Sequence, residues 1–368
     1  MLSTGLKKPG LLVLLVLAFS VIAAACGGTE IQTVEVIKEV TKEVPVEVIK
    51  EVEVTAPEKE KRELVFAGLN WDSALVQNGV ARYIVENGYG YLTSQIEGGT
   101  VPLFQGLRNG DIDITMEIWL PNQNDAWNEA TKDGEVFSVG RSLEDNWQST
   151  FIIPGYLADA NPGLVSVQDL KKDEYKNLFT EPDSGGKAVL VGCIASWSCR
   201  AVNEGQIEAY GLSDHVELRD PGTGGALAAA IEGAYKKEDP ILFYYWGPTK
   251  LAFELDMRRL EQPDPSECPN NDPALGCEFP AANILIAMNT DLSAEAPELI
   301  PFFKNWDWSA SNQLAADGWY GENKDNFDTS EEAYSATGIW YLKNNDAWKS
   351  WVPADVLANV EEALANEG

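Results

Sequence analysis

Short apolar runs that give way to amphipathic helical patterns recur between residues 63 and 368, and this alternation confines the chain to few folds. Strand, helix and strand in succession point to a mostly parallel sheet with helices packed on its faces. Strands are expected at Glu63–Leu69, Asp111–Ile118, Phe151–Pro154, Lys187–Val191, Pro240–Tyr245 and Asn283–Met288. A first helix is expected from Ser73 to near Gly88, where Leu75, Val76, Val80, Tyr83 and Ile84 share one face. Further helices are expected over Arg200–Tyr210, Gly224–Lys236, Ala296–Trp306, Glu331–Asn344 and Ala354–Ala365. So long a stretch exceeds one ordinary domain, which implies two α/β lobes.

The tryptophans fall at telling places. Trp71, Trp119, Trp197 and Trp246 each come directly after or at the end of a candidate strand, and open parallel sheets hold ligands just beyond the carboxyl ends of their strands. Trp306, Trp340, Trp348 and Trp351 fit the buried faces of helices instead. Cys193 and Cys199 bracket Trp197, and a disulfide closing so short a loop would hold the indole in one orientation. Fixed indole faces suit an ammonium group that has no N–H to donate, at about 0.5–2 kcal/mol per ring. Three rings give roughly 2–6 kcal/mol, and micromolar binding needs about 8 kcal/mol, so a second handle is required. The turn Ser198–Cys199, opening onto the helix at Arg200, supplies backbone N–H groups for a carboxylate. Trp71 either joins this box or fills the gap between the first helix and the sheet. Of Tyr244 and Tyr245, which alternate along a strand, one faces the core and one the cleft; Tyr245 is assigned to the cleft.

The N-terminus reads as an address. Lys7 and Lys8 precede an apolar run from Leu11 to Val21, and Ala23–Ala25 precede Cys26. The run is shorter than the roughly 20 residues a membrane span needs, so residues 1–25 are expected to be an export signal. The small residues before Cys26 resemble a bacterial lipobox, which implies that Cys26 is lipidated. The other four cysteines, Cys193, Cys199, Cys268 and Cys277, allow three connectivities, of which two local disulfides are expected outside the cytosol. Their spacings do not fit zinc, and the one histidine, His215, is remote from both pairs in sequence. No metal or cofactor is expected. The formal charge is −31, and becomes −33 without residues 1–25, which carry two lysines and no acidic residue. Nucleic acid is excluded as a partner, since phosphate contacts need clustered Lys and Arg. Residues 26–63 contain a near-repeat, Val34–Val40 returning as Val46–Val52, with Pro45 and Pro57 as breakers. This segment cannot bury a face by itself and reads as a flexible Val/Glu/Lys tether; edge-to-edge strand pairing is the rival.

From about residue 64 the chain resembles the glycine betaine and related quaternary-amine substrate-binding proteins of ABC importers. The resemblance rests on Asn70-Trp71-Asp72-Ser73-Ala74, Gly110–Asp113 running into Trp119-Leu120-Pro121, Val165–Leu170, Gly192–Cys199, Ala209–Leu212 and Pro240–Pro248. It implies a two-lobed periplasmic-binding-protein fold of type II with two hinge crossings, lobe 1 from 64–157 and 283–368 and lobe 2 from 158–282. It also implies an aromatic cage of Trp119, Trp197 and Trp246, and a carboxylate on the backbone of Ser198 and Cys199. The implied partners are a small quaternary amine, an ABC permease with its ATPase, and the membrane through the lipid anchor alone, with the protein monomeric, extracytoplasmic and without enzymatic activity. The family's loop usually carries Pro-Gly before its tryptophan and Gly after it, where this chain has Ala195-Ser196 and Ser198. A larger amine, or one with a displaced anion, would suit that departure.

Other readings compete. A choline or carnitine receptor would share the fold. A secreted carbohydrate-active hydrolase would stack sugars on the tryptophans and use Asp111 or Glu117 as its acid. An extracytoplasmic sensor would pass its signal to another protein.

Overall fold

The computed structural model describes residues 30–36, 48–54 and 61–367. The signal segment, Cys26 and most of the expected tether lie outside the described residues. Two strands overlap the near-repeat in part, β1 (Glu30–Val36) and β2 (Val48–Val54), paired antiparallel from Glu30↔Val54 to Val36↔Val48. Alternating valine and charge is extended-chain sequence, and here Val34–Val36 of the first copy and the residues before it pair with the second copy.

Residues 61–367 form a separate unit built on two five-stranded sheets. The first contains β3 (Leu64–Leu69), β4 (Thr93–Gly98), β5 (Ile114–Leu120), β6 (Val136–Arg141) and β12 (Asn283–Asn289), in the order β4-β3-β5-β12-β6. The second contains β7 (Trp147–Pro154), β8 (Ala188–Val191), β9 (Val216–Arg219), β10 (Leu242–Gly247) and β11 (Met257–Arg259), in the order β11-β7-β10-β8-β9. Each sheet is mixed. In the first, β3 runs parallel to β4 and β5, while β12 is antiparallel to β5 and β6. In the second, β8 runs parallel to β9 and β10, while β7 is antiparallel to β10 and β11. The parallel ladders are those closed by crossover helices, and the antiparallel strands are β7, where the chain arrives in the second sheet, and β12, where it returns to the first.

The chain crosses between the sheets twice, from β6 to β7 and from the loop after β11 to β12. Asn146 ties the crossings together: its Nδ2 donates to Ala282 O at 2.9 Å and its Oδ1 accepts from Ala282 N at 2.8 Å. The first crossing therefore precedes Trp147. β7, placed with the first lobe in the 64–157 assignment, pairs within the second sheet, because its backbone edges are taken by β10 and β11.

All six expected strands are present. β4, β6, β9 and β11 were not anticipated; β4 reads TSQIEG and is mostly half-exposed, so it carries no apolar run. The expected helix Ala296–Trp306 is shorter, Leu299–Lys304, with a separate turn at Leu292–Glu295. Pro297 lies between them and lacks the N–H a continuous helix would use. The helix Asp72–Asn87 packs on the helix Ser330–Asn344 at a glycine contact. A β-carbon on Gly79 would lie 2.5 Å from Tyr334 O, and one on Gly338 2.5 Å from the Gly79 carbonyl carbon, so only glycines permit this approach. One apolar core surrounds the first sheet and reaches Trp197 and Trp246; a smaller one lies under the second sheet around Phe151, Leu190 and Leu242.

Candidate functional site

Four strand ends converge. Trp71 follows β3 and is the N-cap of the helix Asp72–Asn87, Trp119 is the penultimate residue of β5, and Trp246 that of β10. Trp197 sits between β8 and the helix Cys199–Ala209, in a loop closed by the Cys193–Cys199 disulfide with its Cα atoms 5.9 Å apart. The second local disulfide, Cys268–Cys277, also forms. The four indoles line one hollow with Thr100, Asn122, Ser198, Cys199 and Tyr244. Trp197 stands edge-on between two of its partners, 5.3 Å from Trp71 at 79° and 5.3 Å from Trp246 at 84°.

Three of the four indole N–H groups are anchored outside the hollow. Trp71 Nε1 and Trp119 Nε1 each donate to Glu117 Oε2 at 2.8 Å, and Trp197 Nε1 donates to Asn70 Oδ1 at 2.6 Å. Glu117 is fully buried, and burial raises its pKa against the hydrogen bonds that favour its ionised form.

Two helix starts also line the hollow. Cys199 opens one helix behind Ser198, and Thr100 opens the helix Thr100–Asn109 behind Gly99. The first N–H groups of a helix have no intrahelical partner and carry its positive end. The two segments touch across the cleft, where Val101 N donates to Ser196 O at 3.1 Å. A β-carbon on Gly99 would lie 2.6 Å from the Ser196 backbone oxygen, so the approach requires glycine there. Asn122 and Gln148 exchange amide hydrogen bonds of 3.0 and 3.2 Å, and Tyr244 OH donates to Gln148 Oε1 at 3.2 Å. Burial drives the Tyr244 phenol upward, so it stays a neutral donor.

Of the residues assigned from sequence, Trp71, Trp119, Trp197, Trp246, Ser198 and Cys199 come together. Tyr245 does not; strand alternation turns it to a neighbouring hollow beside Glu232, Lys250, Asp317 and Tyr320, and Tyr244 takes its place. Thr100 and Asn122 were missed. Thr100 follows the unanticipated β4, and its one sequence signal is the Gly98-Gly99 pair; Asn122 follows Pro121 in a turn. Asp111 is exposed and outside the hollow. Asp113 is bound by Arg62 at 2.6 and 2.9 Å and by Val65 N at 2.7 Å, which fixes the start of β3. Glu117 has both oxygens occupied by N–H donors, a poor setting for a hydrolytic acid.

A family model for the substrate-binding domain of ABC-type glycine betaine transport systems matches residues 62–336. That family consists of transport binding domains and is not an enzyme family. The chain is 28% identical over 215 residues to the glycine betaine-binding periplasmic protein OusX of Dickeya dadantii, covering 54% of this chain and 62% of that protein. It is 24% identical over 258 residues to a trimethylamine N-oxide-binding protein of Pelagibacter ubique, covering 68% and 80%. Among solved structures, the glycine betaine/L-proline-binding protein of Borrelia burgdorferi superposes with a TM-score of 0.65 at 20% identity, covering 81% of this chain and 99% of that one. A lactococcal protein in its closed form with glycine betaine gives 0.60 at 20% identity, covering 80% and 100%. These likenesses establish the two-lobed binding-protein fold.

Proposed function

We propose, from the premise that this chain belongs to the family of substrate-binding domains of ABC-type glycine betaine transport systems, that it captures glycine betaine or a closely related quaternary amine outside the cell and presents it to an ABC permease and its ATPase. The observation that carries this reading is the meeting of four indoles from four separate segments around one hollow that two helix starts also line. Indole faces attract a methylated ammonium that cannot hydrogen-bond, and helix N-termini favour a carboxylate. A zwitterion with its charges one methylene apart answers both at once. Trp71, Trp119, Trp197 and Trp246 would surround the nitrogen, with the Ser198 and Cys199 backbone on the carboxylate and Thr100, Asn122 and Tyr244 closing the wall.

Closure would bring the two halves together around the ligand, with residues up to the first crossing before Trp147 and from 283 onward as one lobe and the intervening residues as the other. Residues 1–25 would direct export, Cys26 would carry the lipid, and the near-repeat segment would hold the monomeric receptor away from the membrane.

Calorimetry on the soluble part with glycine betaine, proline betaine, choline, carnitine and trimethylamine N-oxide tests this. Glycine betaine is expected to bind in the micromolar range or tighter, and Trp197→Ala to weaken it by about a hundredfold or more. Heat from choline alone would move the assignment to a choline receptor. No heat from any of the five would overturn it.

A further inference from the structure

We propose that Glu117 is the residue that makes the hollow select a cation over a neutral group of the same shape. This rests on the reading of the hollow as a quaternary-amine site. Glu117 lies on β5, two residues before Trp119, behind the indoles rather than among the lining residues. It acts through Trp71 and Trp119 and is therefore a positioning residue.

Three groups that can only donate meet its carboxylate, and beside them lies the buried Ser73 hydroxyl, which can donate or accept. Two indole N–H groups share Oε2 at 2.8 Å each, and Gln77 Nε2 donates to Oε1 at 2.7 Å. The Gln77 amide is held in that sense, because its oxygen accepts from Ser142 Oγ at 2.6 Å and from Trp306 Nε1 at 3.0 Å. Three of these four neighbours have no lone pair to offer a proton on Glu117 and the Ser73 hydroxyl alone does, so the surroundings favour the anion. Yet no basic side chain pairs with it among the described residues. A buried carboxylate without a countercharge is a liability to the fold, and a neutral amide could have tied two indoles as well. The missing positive charge is the one a quaternary ammonium would bring to the faces of the same two rings. An anion bonded to the indole N–H also pushes electron density into the ring and strengthens the face that meets the cation.

The test compares glycine betaine with 3,3-dimethylbutanoate, in which a neutral carbon replaces the nitrogen, by calorimetry and by competition. Glu117→Gln is expected to weaken glycine betaine by about tenfold or more and to leave dimethylbutanoate within about threefold of its wild-type affinity. Glu117→Asp, which keeps the charge, is expected to retain the preference for the cation even where both affinities fall, and gives the same readout should Glu117→Gln fail to fold. An equal loss for both ligands in Glu117→Gln, or loss of the preference in Glu117→Asp, would overturn the proposal and leave Glu117 as scaffold. Failure of the wild-type protein to bind any quaternary amine would instead defeat the reading of the site.

Discussion

Trp119 and Trp197 face one hollow from opposite sheets and are held there by unlike means. Trp119 sits at the end of a central strand, with its N–H on a buried carboxylate that also takes Trp71. Trp197 sits in a loop with no strand neighbours, oriented by a disulfide six residues long and one amide oxygen. The first wall is built from hydrogen-bonded secondary structure around a charge, the second from covalent closure. One wall depends on electrostatics that pH and substitution can alter; the other depends on a redox state set by the compartment.

The largest effect that separates the walls is expected at the seam between them. Asp317, on the helix Ala310–Asn323 of the first half, accepts from Lys250 N of the second at 3.2 Å and from Gln313 Nε2 at 2.6 Å. Burial, and then the charge of Asp72, pushes its carboxyl up to about 7. A raised folded-state pKa means the folded protein holds its proton after the unfolded chain has lost its own. Stability is therefore expected to fall as pH rises from about 4 to about 7, by up to roughly 4 kcal/mol from this residue. Urea titrations of wild type and Asp317→Asn across that range check it; a variant no flatter than wild type would show that the seam is not where the pH dependence lies.

Opening the covalent wall comes next. Replacing Cys193 and Cys199 together by serine releases a short loop, at an expected cost of about 2–3 kcal/mol. The loss of glycine betaine affinity should exceed that from Cys268→Ser with Cys277→Ser, whose loop does not touch the hollow. Equal affinity losses in the two double variants would mean that the first disulfide stabilises the fold without orienting Trp197.

Removing one N–H from each wall sharpens the contrast. Trp119→Phe leaves the buried Glu117 short of a donor and should cost about 1.5–3 kcal/mol beyond the change of ring, whereas Trp197→Phe strands only the Asn70 amide, about 1 kcal/mol. Thermal melts of the two ligand-free variants provide the comparison, and identical shifts would erase the distinction between the walls. The smallest effect is expected at the crossings. Asn146→Ala removes the paired bonds to Ala282 and should lower stability by about 1 kcal/mol, with faster release of ligand seen by stopped-flow indole fluorescence.

Much of this was legible along the chain. Trp119 and Trp246 announce themselves because each closes an apolar run, Trp71 because it comes just after one, and Trp197 because two cysteines bracket it; strand ends are where open sheets place ligands. Cys193 and Cys199 are close enough in sequence that their pairing is a local matter. Asn70 shows the limit: it stands beside Trp71 in sequence, yet its partner is Trp197, on the other side of the cleft. β4 escaped because half-exposed edge strands lack an apolar run, and Thr100 escaped with it.

Sequence alone thus determined the α/β alternation, the strand-end tryptophans and the local cysteine pairs, all properties of residues within about a dozen positions of one another. Tertiary structure alone decided that Tyr244 rather than Tyr245 faces the hollow, that β7 belongs to the second sheet, and that Glu117 gathers Trp71, Trp119 and Gln77 around one carboxylate. The reason is physical. The phase of a strand and the order of a sheet are set by which distant segment pairs with which edge, and a buried charge acquires its meaning only from the groups that surround it in space.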